Sequence, residues 1–231
     1  MSSPVALILG VGARTGVFIA DGFVADGYKV AIASRKGTGS KNEKGILSLK
    51  ADFSDPKSIP VLFDAVKAEF KTVPSVVVYH AAAVTPPPDK DSVLSITTES
   101  VASDFNVNTI SPYTAAQQAI AGWETLPEGT KKTFIFTGSI LNTVILPVPL
   151  MQNLGMGKSA TAYWIGLADT LYAAKGYRFF YADERYEDGK AKAAKLDGPA
   201  HAEFYTQLAK QEGKVPWHAT FVKGQGYAQF K

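Results

Sequence analysis

The fold is decided by Val5-Ala6-Leu7-Ile8-Leu9-Gly10-Val11-Gly12-Ala13-Arg14-Thr15-Gly16, an apolar run that breaks into glycines before an amphipathic stretch. Uninterrupted apolar residues describe a strand covered on both faces. The glycines let the chain reverse tightly and let backbone come close to a ligand. A helix predicted over Thr15–Asp26, with Val17, Phe18, Ala20 and Phe23 to pack, would open with free N–H groups and positive dipole. Strand, glycine turn and helix in that order make a pyrophosphate cradle; glycines without that context mark only a tight turn.

Working outward, apolar runs alternate with amphipathic stretches. Strands are predicted at Lys29–Ala33, Ile46–Leu49, Ser75–Tyr79, Thr133–Thr137, Tyr177–Tyr181 and Ala219–Val222. Helices are predicted from Asp55-Pro56 to about Phe70, over Thr98–Trp123, over about Gly157–Ala174 and over His201–Gln211. Such alternation implies βαβ units and therefore an α/β fold: a doubly wound parallel sheet with helices on both faces. One domain is expected over residues 1–231. Pro86-Pro87-Pro88 reads as a stiff loop. Tyr186–Ala200, rich in Lys, Asp, Gly and Ala, reads as solvent-exposed, and residues 184–215 as an excursion on the substrate side.

Composition narrows the chemistry. The 231 residues are 46% hydrophobic and 19% charged, which excludes a disordered, collagen-like or coiled-coil chain. Net charge is +3 and no long basic run exists, so nucleic acid is not an expected partner. Without cysteine there are no disulfides, thiol nucleophiles or cysteine metal sites. His80, His201 and His218 are too scattered for a metal-ligand pattern, and no metal is expected. Thr133–Gly157 carries no charge and could span a bilayer by length. Gly138, Asn142, Pro147, Pro149, Gln152 and Asn153 interrupt it, so a buried strand and an uncharged loop are the reading. A soluble, cytoplasmic protein with no membrane segment is expected.

Dinucleotide sites that prefer NAD place an acid about 20 residues beyond the turn to hold the ribose 2′-hydroxyl. No Asp or Glu occurs between Gly27 and Asn42; instead the second strand ends Ala33-Ser34-Arg35-Lys36. Arg35 can stack on adenine and pair with a 2′-phosphate, while Ser34 donates a hydrogen bond, which points to NADP(H). Arg14 either reinforces this or faces water.

From about Pro4 to Tyr181 the chain resembles the short-chain dehydrogenase/reductase superfamily, whose fold is a Rossmann-type sheet. Gly10, Gly12, Ala13, Arg14, Thr15 and Gly16 resemble its cofactor turn, with Arg14 where the middle glycine stands. Leu49-Lys50-Ala51-Asp52-Phe53 is similar to the segment that contacts adenine, which assigns Asp52 and Phe53 to the cofactor. Val77-Val78-Tyr79-His80-Ala81-Ala82 resembles the family's Asn-Asn-Ala-Gly strand end, with both asparagines changed, and places His80, Ala81 and Ala82 beside the cofactor. Phe105-Asn106-Val107-Asn108-Thr109 matches the helix bearing a structural asparagine, here Asn108. Phe136-Thr137-Gly138-Ser139 resembles the strand ending in the catalytic serine, here Ser139. In the family's Tyr-x-x-x-Lys pair the lysine aligns with Lys158, implying a cofactor-ribose ligand, and the tyrosine position is Leu154. The family's Pro-Gly after the sixth strand is replaced by Glu184-Arg185.

Ketone reduction needs a proton on oxygen as hydride arrives, and leucine has none to give. Tyr79, His80, Tyr163, Tyr181 and Asp183 could replace it by type; Asp183 joins Ser139, Lys158 and Asn108 as the catalytic candidates. The readings are an NADPH-dependent reductase of a small carbonyl compound with another donor, a reductase of an imine, which requires no such proton, and a non-catalytic NADP-binding sensor or structural protein. A relative that steers a cyclisation is a variant of the second. The resemblance also implies a homodimer or homotetramer through the long central helices, with Ala115, Ala116 and Ala119 permitting close approach.

Overall fold

The computed structural model describes residues 3–230. Strands β1 (Val5–Leu9), β2 (Lys29–Ser34), β3 (Leu47–Lys50), β4 (Val76–Tyr79), β5 (Lys132–Thr137), β6 (Tyr177–Arg185), β7 (His218–Val222) and β8 (Gly226–Tyr227) form one sheet. Its order is β3-β2-β1-β4-β5-β6-β7-β8, parallel except for β7 with β8. The helices are α1 (Gly16–Ala25), α2 (Ser58–Phe70), α3 (Thr98–Phe105), α4 (Ser111–Trp123), α5 (Gln152–Tyr172) and α6 (Gly198–Lys210). This is the Rossmann-like α/β arrangement that the sequence predicts.

Side chains alternate across the sheet with period two and fill a core on each side. Leu7, Leu9, Val77, Phe134, Phe136 and Phe179 face α2, α4 and α5, while Ile8, Val78, Ile135 and Phe180 face α1 and α6. The strand order reverses between β1 and β4, and beyond the strands' C-terminal ends at such a reversal is the place where sheets of this kind bind ligands.

Several boundaries differ from those the sequence predicts. The Thr98–Trp123 helix is continuous in direction but passes through a π-turn, Asn106–Ile110, between α3 and α4. Helix α5 begins at Gln152 rather than Gly157, so Leu154 and Lys158 share one helix. β6 continues four residues past Tyr181, because Asp183, Glu184 and Arg185 are all buried with partners. Asp183 pairs with Arg185 at 2.7 Å, while Glu184 accepts from the Asp197 N–H at 2.8 Å and lies 3.3 Å from Lys192. The exposed excursion is accordingly smaller than residues 184–215. Only the loop between Arg185 and Gly198 separates β6 from α6, and Ala200, within the segment predicted as solvent-exposed, is buried. Helix α6 packs on α1, where a Cβ at Gly22 would stand 3.0 Å from the Ala202 methyl. Ala115, Ala116 and Ala119 do not form an outer face; they are buried in the chain's own core.

Candidate active site

The phosphate turn sits at the strand-order reversal. Gly10 has φ +96°, a conformation that favours glycine, and its N–H donates to the Ala33 carbonyl at 2.9 Å. A Cβ at Gly10 would lie 2.7 Å from the Ala81 methyl, so β1 and β4 close on each other there. Gly12, Ala13 and Arg14 are exposed, and a Cβ at Gly12 would meet open space. Thr15 and Gly16 are buried at the head of α1, whose first turn has neither a side-chain cap nor an acidic residue. The Val17 N–H turns back to the Gly12 carbonyl at 3.3 Å, which leaves the positive end of the helix dipole for an anion to meet. Arg14 Nη1 donates to the Ala194 carbonyl at 3.1 Å and so ties the turn to the loop after β6.

At the end of β2 the Ser34 hydroxyl accepts from the Lys36 N–H at 3.3 Å. Arg35 is exposed and makes no hydrogen bond or ion pair among the described residues. Asp52 accepts from the Ser54 N–H and hydroxyl at 3.0 and 2.8 Å; these bonds, with a smaller pull from Arg35, hold its carboxyl below the ordinary range. Phe53 turns inward: its ring packs edge-on to Tyr79 at 5.6 Å and its carbonyl accepts from the Ser111 hydroxyl at 2.7 Å. It therefore holds Asp52 in place rather than presenting a ring to a ligand. The open cradle at Gly12, the uncapped α1 and the unpaired Arg35 fit a phosphorylated dinucleotide.

The segment Thr137–Ser139 gathers most of the remaining candidates. Lys158 Nζ donates to the Thr137 carbonyl at 2.6 Å and stands 4.3 Å from the centre of the Phe136 ring. The Ser139 N–H donates to the Tyr181 hydroxyl at 3.0 Å, and that hydroxyl donates to the Ser139 carbonyl at 2.8 Å. A Cβ at Gly138 would lie 2.9 Å from Tyr181 Cζ, so this ring requires a glycine beneath it. The Ser139 hydroxyl accepts weakly from the Leu141 N–H at 3.4 Å. Asn108, in the π-turn, clamps Ala83 through both amide atoms at 2.9 Å, and its own carbonyl accepts from Thr161 at 2.9 Å. It thus fixes α5 and the segment after β4 together. Ala82 is exposed beside the half-buried Ala81.

On the opposite face a chain runs from Tyr205 through Thr137 to His80. The Thr137 hydroxyl lies 2.7 Å from the Tyr205 hydroxyl and 2.8 Å from His80 Nδ1. Tyr205 is fully buried and has no other partner among the described residues, so it must donate to Thr137 to avoid stranding its proton. Thr137 then donates to Nδ1, leaving the His80 proton on Nε2. Burial, then the neighbouring His201 and Lys158, push the His80 pKa down to about 3, so the ring is a neutral donor. Sequence spacing does not bring Thr137 and Tyr205, or Ser139 and Tyr181, together, because these hydrogen bonds join residues 68 and 42 apart.

Of the proton donors considered by residue type, Tyr79 is spent on the Val107 carbonyl at 2.6 Å. Tyr163 is 77% exposed on the outside of α5, and Tyr181 is spent on Ser139. Asp183 is buried in its pair with Arg185; burial raises its carboxyl above the ordinary range against that cation's pull.

Burial lowers the Lys158 pKa from 10.5 to about 7, with Asp183 opposing the shift. Between pH 7 and 10.5 the unfolded chain therefore binds a proton that the folded one does not, and this residue's contribution to stability rises with pH. Lys158→Met, which removes the titration, is expected to gain on the wild type as pH falls from 9 to 7, by roughly 2 kcal/mol. Urea unfolding at both pH values checks this; a difference that does not change with pH would mean that Lys158 stays charged throughout.

The family model described as enoyl-(acyl carrier protein) reductase matches residues 12–162. A short chain dehydrogenase/reductase of Cryptosporiopsis sp. (strain 8999), dmxR12, is 40% identical over 241 residues, covering 100% of this chain and 96% of that protein. The chain belongs to the short-chain dehydrogenase/reductase superfamily. Among solved structures, a metagenomic short-chain oxidoreductase in complex with NADP aligns at TM-score 0.77 and 16% identity, covering 96% of each chain. The 3-ketoacyl-(acyl-carrier-protein) reductase of Brucella melitensis, complexed with NADH, aligns at TM-score 0.77 and 18% identity, covering 96% of this chain and 98% of that one. At these identities the likeness establishes the fold. Among the described residues no helix is long and apolar enough to cross a membrane.

Proposed function

We propose that the protein is an NADP(H)-dependent oxidoreductase acting on a small-molecule carbonyl or imine, with Leu154 in place of the family's tyrosine. The observation that carries the cofactor choice is the end of β2, where exposed Arg35 has no partner and no acid stands ready for a ribose 2′-hydroxyl. Gly10, Gly12 and the head of α1 would receive the pyrophosphate, with Ala13, Thr15 and Gly16 shaping the turn. Ser34 and Arg35 would hold the 2′-phosphate and Asp52 the adenine. His80 and Ala81 follow β4 at the reversal, where the nicotinamide end would lie. When bound, NADPH supplies a hydride.

Ser139 would hydrogen-bond the substrate. Lys158 acts from below, through its bond to the Thr137 carbonyl, rather than as a free ribose ligand. The tyrosines that could have replaced the missing acid are spent or face away, which favours a C=N⁺ substrate. Hydride added to an iminium carbon gives a neutral amine, so no proton has to reach the former double bond. For self-association we favour the exposed row Tyr163, Leu167 and Leu171 on α5 over the buried alanines of α4.

Thermal stabilisation by NADPH is expected to exceed that by NADH. Arg35→Asp is expected to cut NADPH affinity about 100-fold, the loss of a bidentate charged contact plus a like-charge repulsion, while sparing NADH. A shift with neither nucleotide would remove the cofactor reading. NADPH oxidation across ketones, aldehydes and cyclic imines then identifies the substrate class. Binding without turnover on any of them would leave the sensor reading.

A further inference from the structure

We propose that Arg14 is a positioning residue that couples the cofactor turn to the loop between β6 and α6. Its guanidinium spans the Ala194 carbonyl and a bound pyrophosphate, so that the arriving dinucleotide fastens the loop. This rests on the reading above in taking a dinucleotide as the ligand of the turn.

On the loop side, one buried carboxylate holds the chain at two points. Glu184, whose side chain is wholly buried, accepts from the Asp197 N–H at 2.8 Å and lies 3.3 Å from Lys192 Nζ. Lys192 also sits over the Tyr186 ring, 4.3 Å from its centre. Between these anchors the chain bends tightly. The Lys195 N–H donates to the Lys192 carbonyl at 2.8 Å, and Ala193 takes φ +49°, a conformation costly for a residue with a Cβ. Among the described residues, the one side chain hydrogen-bonded to the middle of this bend is that of Arg14, from Nη1 to the Ala194 carbonyl at 3.1 Å. The exit of the bend packs on the same turn: a Cβ at Gly198 would stand 2.7 Å from the Arg14 carbonyl and 2.8 Å from Phe18 Cγ.

On the turn side, Arg14 belongs to the exposed crest Gly12–Arg14 that leads into Thr15 and α1. It stands where the family's turn has its middle glycine, so a cation springs from a point that the family leaves without a side chain. Beyond its bond to Ala194, the exposed guanidinium makes no hydrogen bond or ion pair among the described residues. Five N–H donors in one plane let a guanidinium meet a carbonyl and a phosphate oxygen together. An ammonium is a point charge on a flexible stem and fixes no such pair.

The two sides act on each other by linkage. A ligand that binds Arg14 while Arg14 holds the bend makes the bend harder to open, and a closed bend tightens the ligand by the same factor. The opposite arrangement is competition, in which a pyrophosphate draws Arg14 away from Ala194 and frees the bend.

The test is amide hydrogen exchange across residues 190–197, with affinities from isothermal titration. In wild type, saturating NADP+ is expected to slow exchange there about tenfold. 2′-Phospho-ADP-ribose, which keeps the pyrophosphate without the nicotinamide, is expected to do the same. Adenosine 2′,5′-bisphosphate, which lacks the pyrophosphate, is expected to slow it less than about twofold. Arg14 is exposed, so its variants keep the fold. Arg14→Met is expected to speed exchange of the free protein about threefold, to lose the protection by NADP+ and to weaken NADP+ about tenfold, with adenosine 2′,5′-bisphosphate unchanged. Arg14→Lys keeps the charge and is expected to bind NADP+ within about threefold of wild type yet fail to protect the loop. Unchanged or faster exchange in wild type with NADP+, or full protection in either variant, overturns the proposal. If NADP+ does not bind wild type, the cofactor reading fails. Faster exchange in free Arg14→Met would then still uphold the tie to the loop, and unchanged exchange would overturn it.

Discussion

Gly10→Ala is expected to lower the melting temperature by roughly 10 °C, whereas Gly12→Ala leaves it within about 2 °C of wild type and instead weakens NADPH. The two glycines are two residues apart in one turn, but they answer to different constraints. At Gly10 the backbone sits at φ +96°, and an added methyl would collide with Ala81 at the end of β4. Left-handed strain of about 1–3 kcal/mol adds to an overpacking cost of similar size. The β1–β4 approach lies inside the sheet, with strands on both sides of it, so that cost falls on the whole fold. At Gly12 a methyl meets nothing within 4 Å. Its only expected obstruction is to a ligand, in the space where backbone N–H groups would meet a pyrophosphate. Differential scanning fluorimetry with and without NADPH separates the effects. Equal losses of stability in both variants, or full NADPH affinity in Gly12→Ala, would contradict this division.

That turn was legible because everything it needs is contiguous: strand, glycines and helix follow one another from Val5 to Ala25. The sheet was legible for a related reason, since strands such as Val76–Tyr79 are buried on both faces and show it as unbroken apolar runs. β6 reads as ending at Tyr181, four residues early, for the opposite reason. Asp183, Glu184 and Arg185 look like surface residues in one dimension, and only their pairing across the fold lets them be buried. The start of α6, three residues before the expected His201, carries a readable signal: Asp197 precedes Gly198-Pro199, and its carboxylate accepts from the Ala200 N–H at 2.9 Å. The π-turn around Asn108 and the Tyr205–Thr137–His80 chain left no local trace. Their members meet across 25 to 68 residues of sequence. Motif resemblance implies Lys158 as a cofactor-ribose ligand, but its bond to the Thr137 carbonyl depends on how deeply α5 sits against β5.

Leu154→Tyr is expected to confer ketone reduction at a rate about 100-fold above wild type. General acid catalysis by a placed side chain contributes roughly 10²–10⁴, and the lower end applies for a structural reason. Leu154 is half-buried on α5, four residues before Lys158, so a tyrosine there would lie one helical turn from the ammonium. In that arrangement the lysine favours the tyrosinate left after proton donation. Here Lys158 is already committed to the Thr137 carbonyl at 2.6 Å and is pushed towards neutrality by burial, so its help is partial. Leu154→Phe carries the same ring without the hydroxyl and is expected to give no gain, which separates acid catalysis from pocket filling. Imine reduction, which needs no proton at the reacting atom, is expected to change less than about threefold in Leu154→Tyr, by the same acid–base logic. If ketone reduction does not rise while NADPH still binds, the vacancy at Leu154 is not what limits carbonyl chemistry. The limiting feature would then be the remodelled floor, where Tyr181 occupies the space under Gly138 and Ser139.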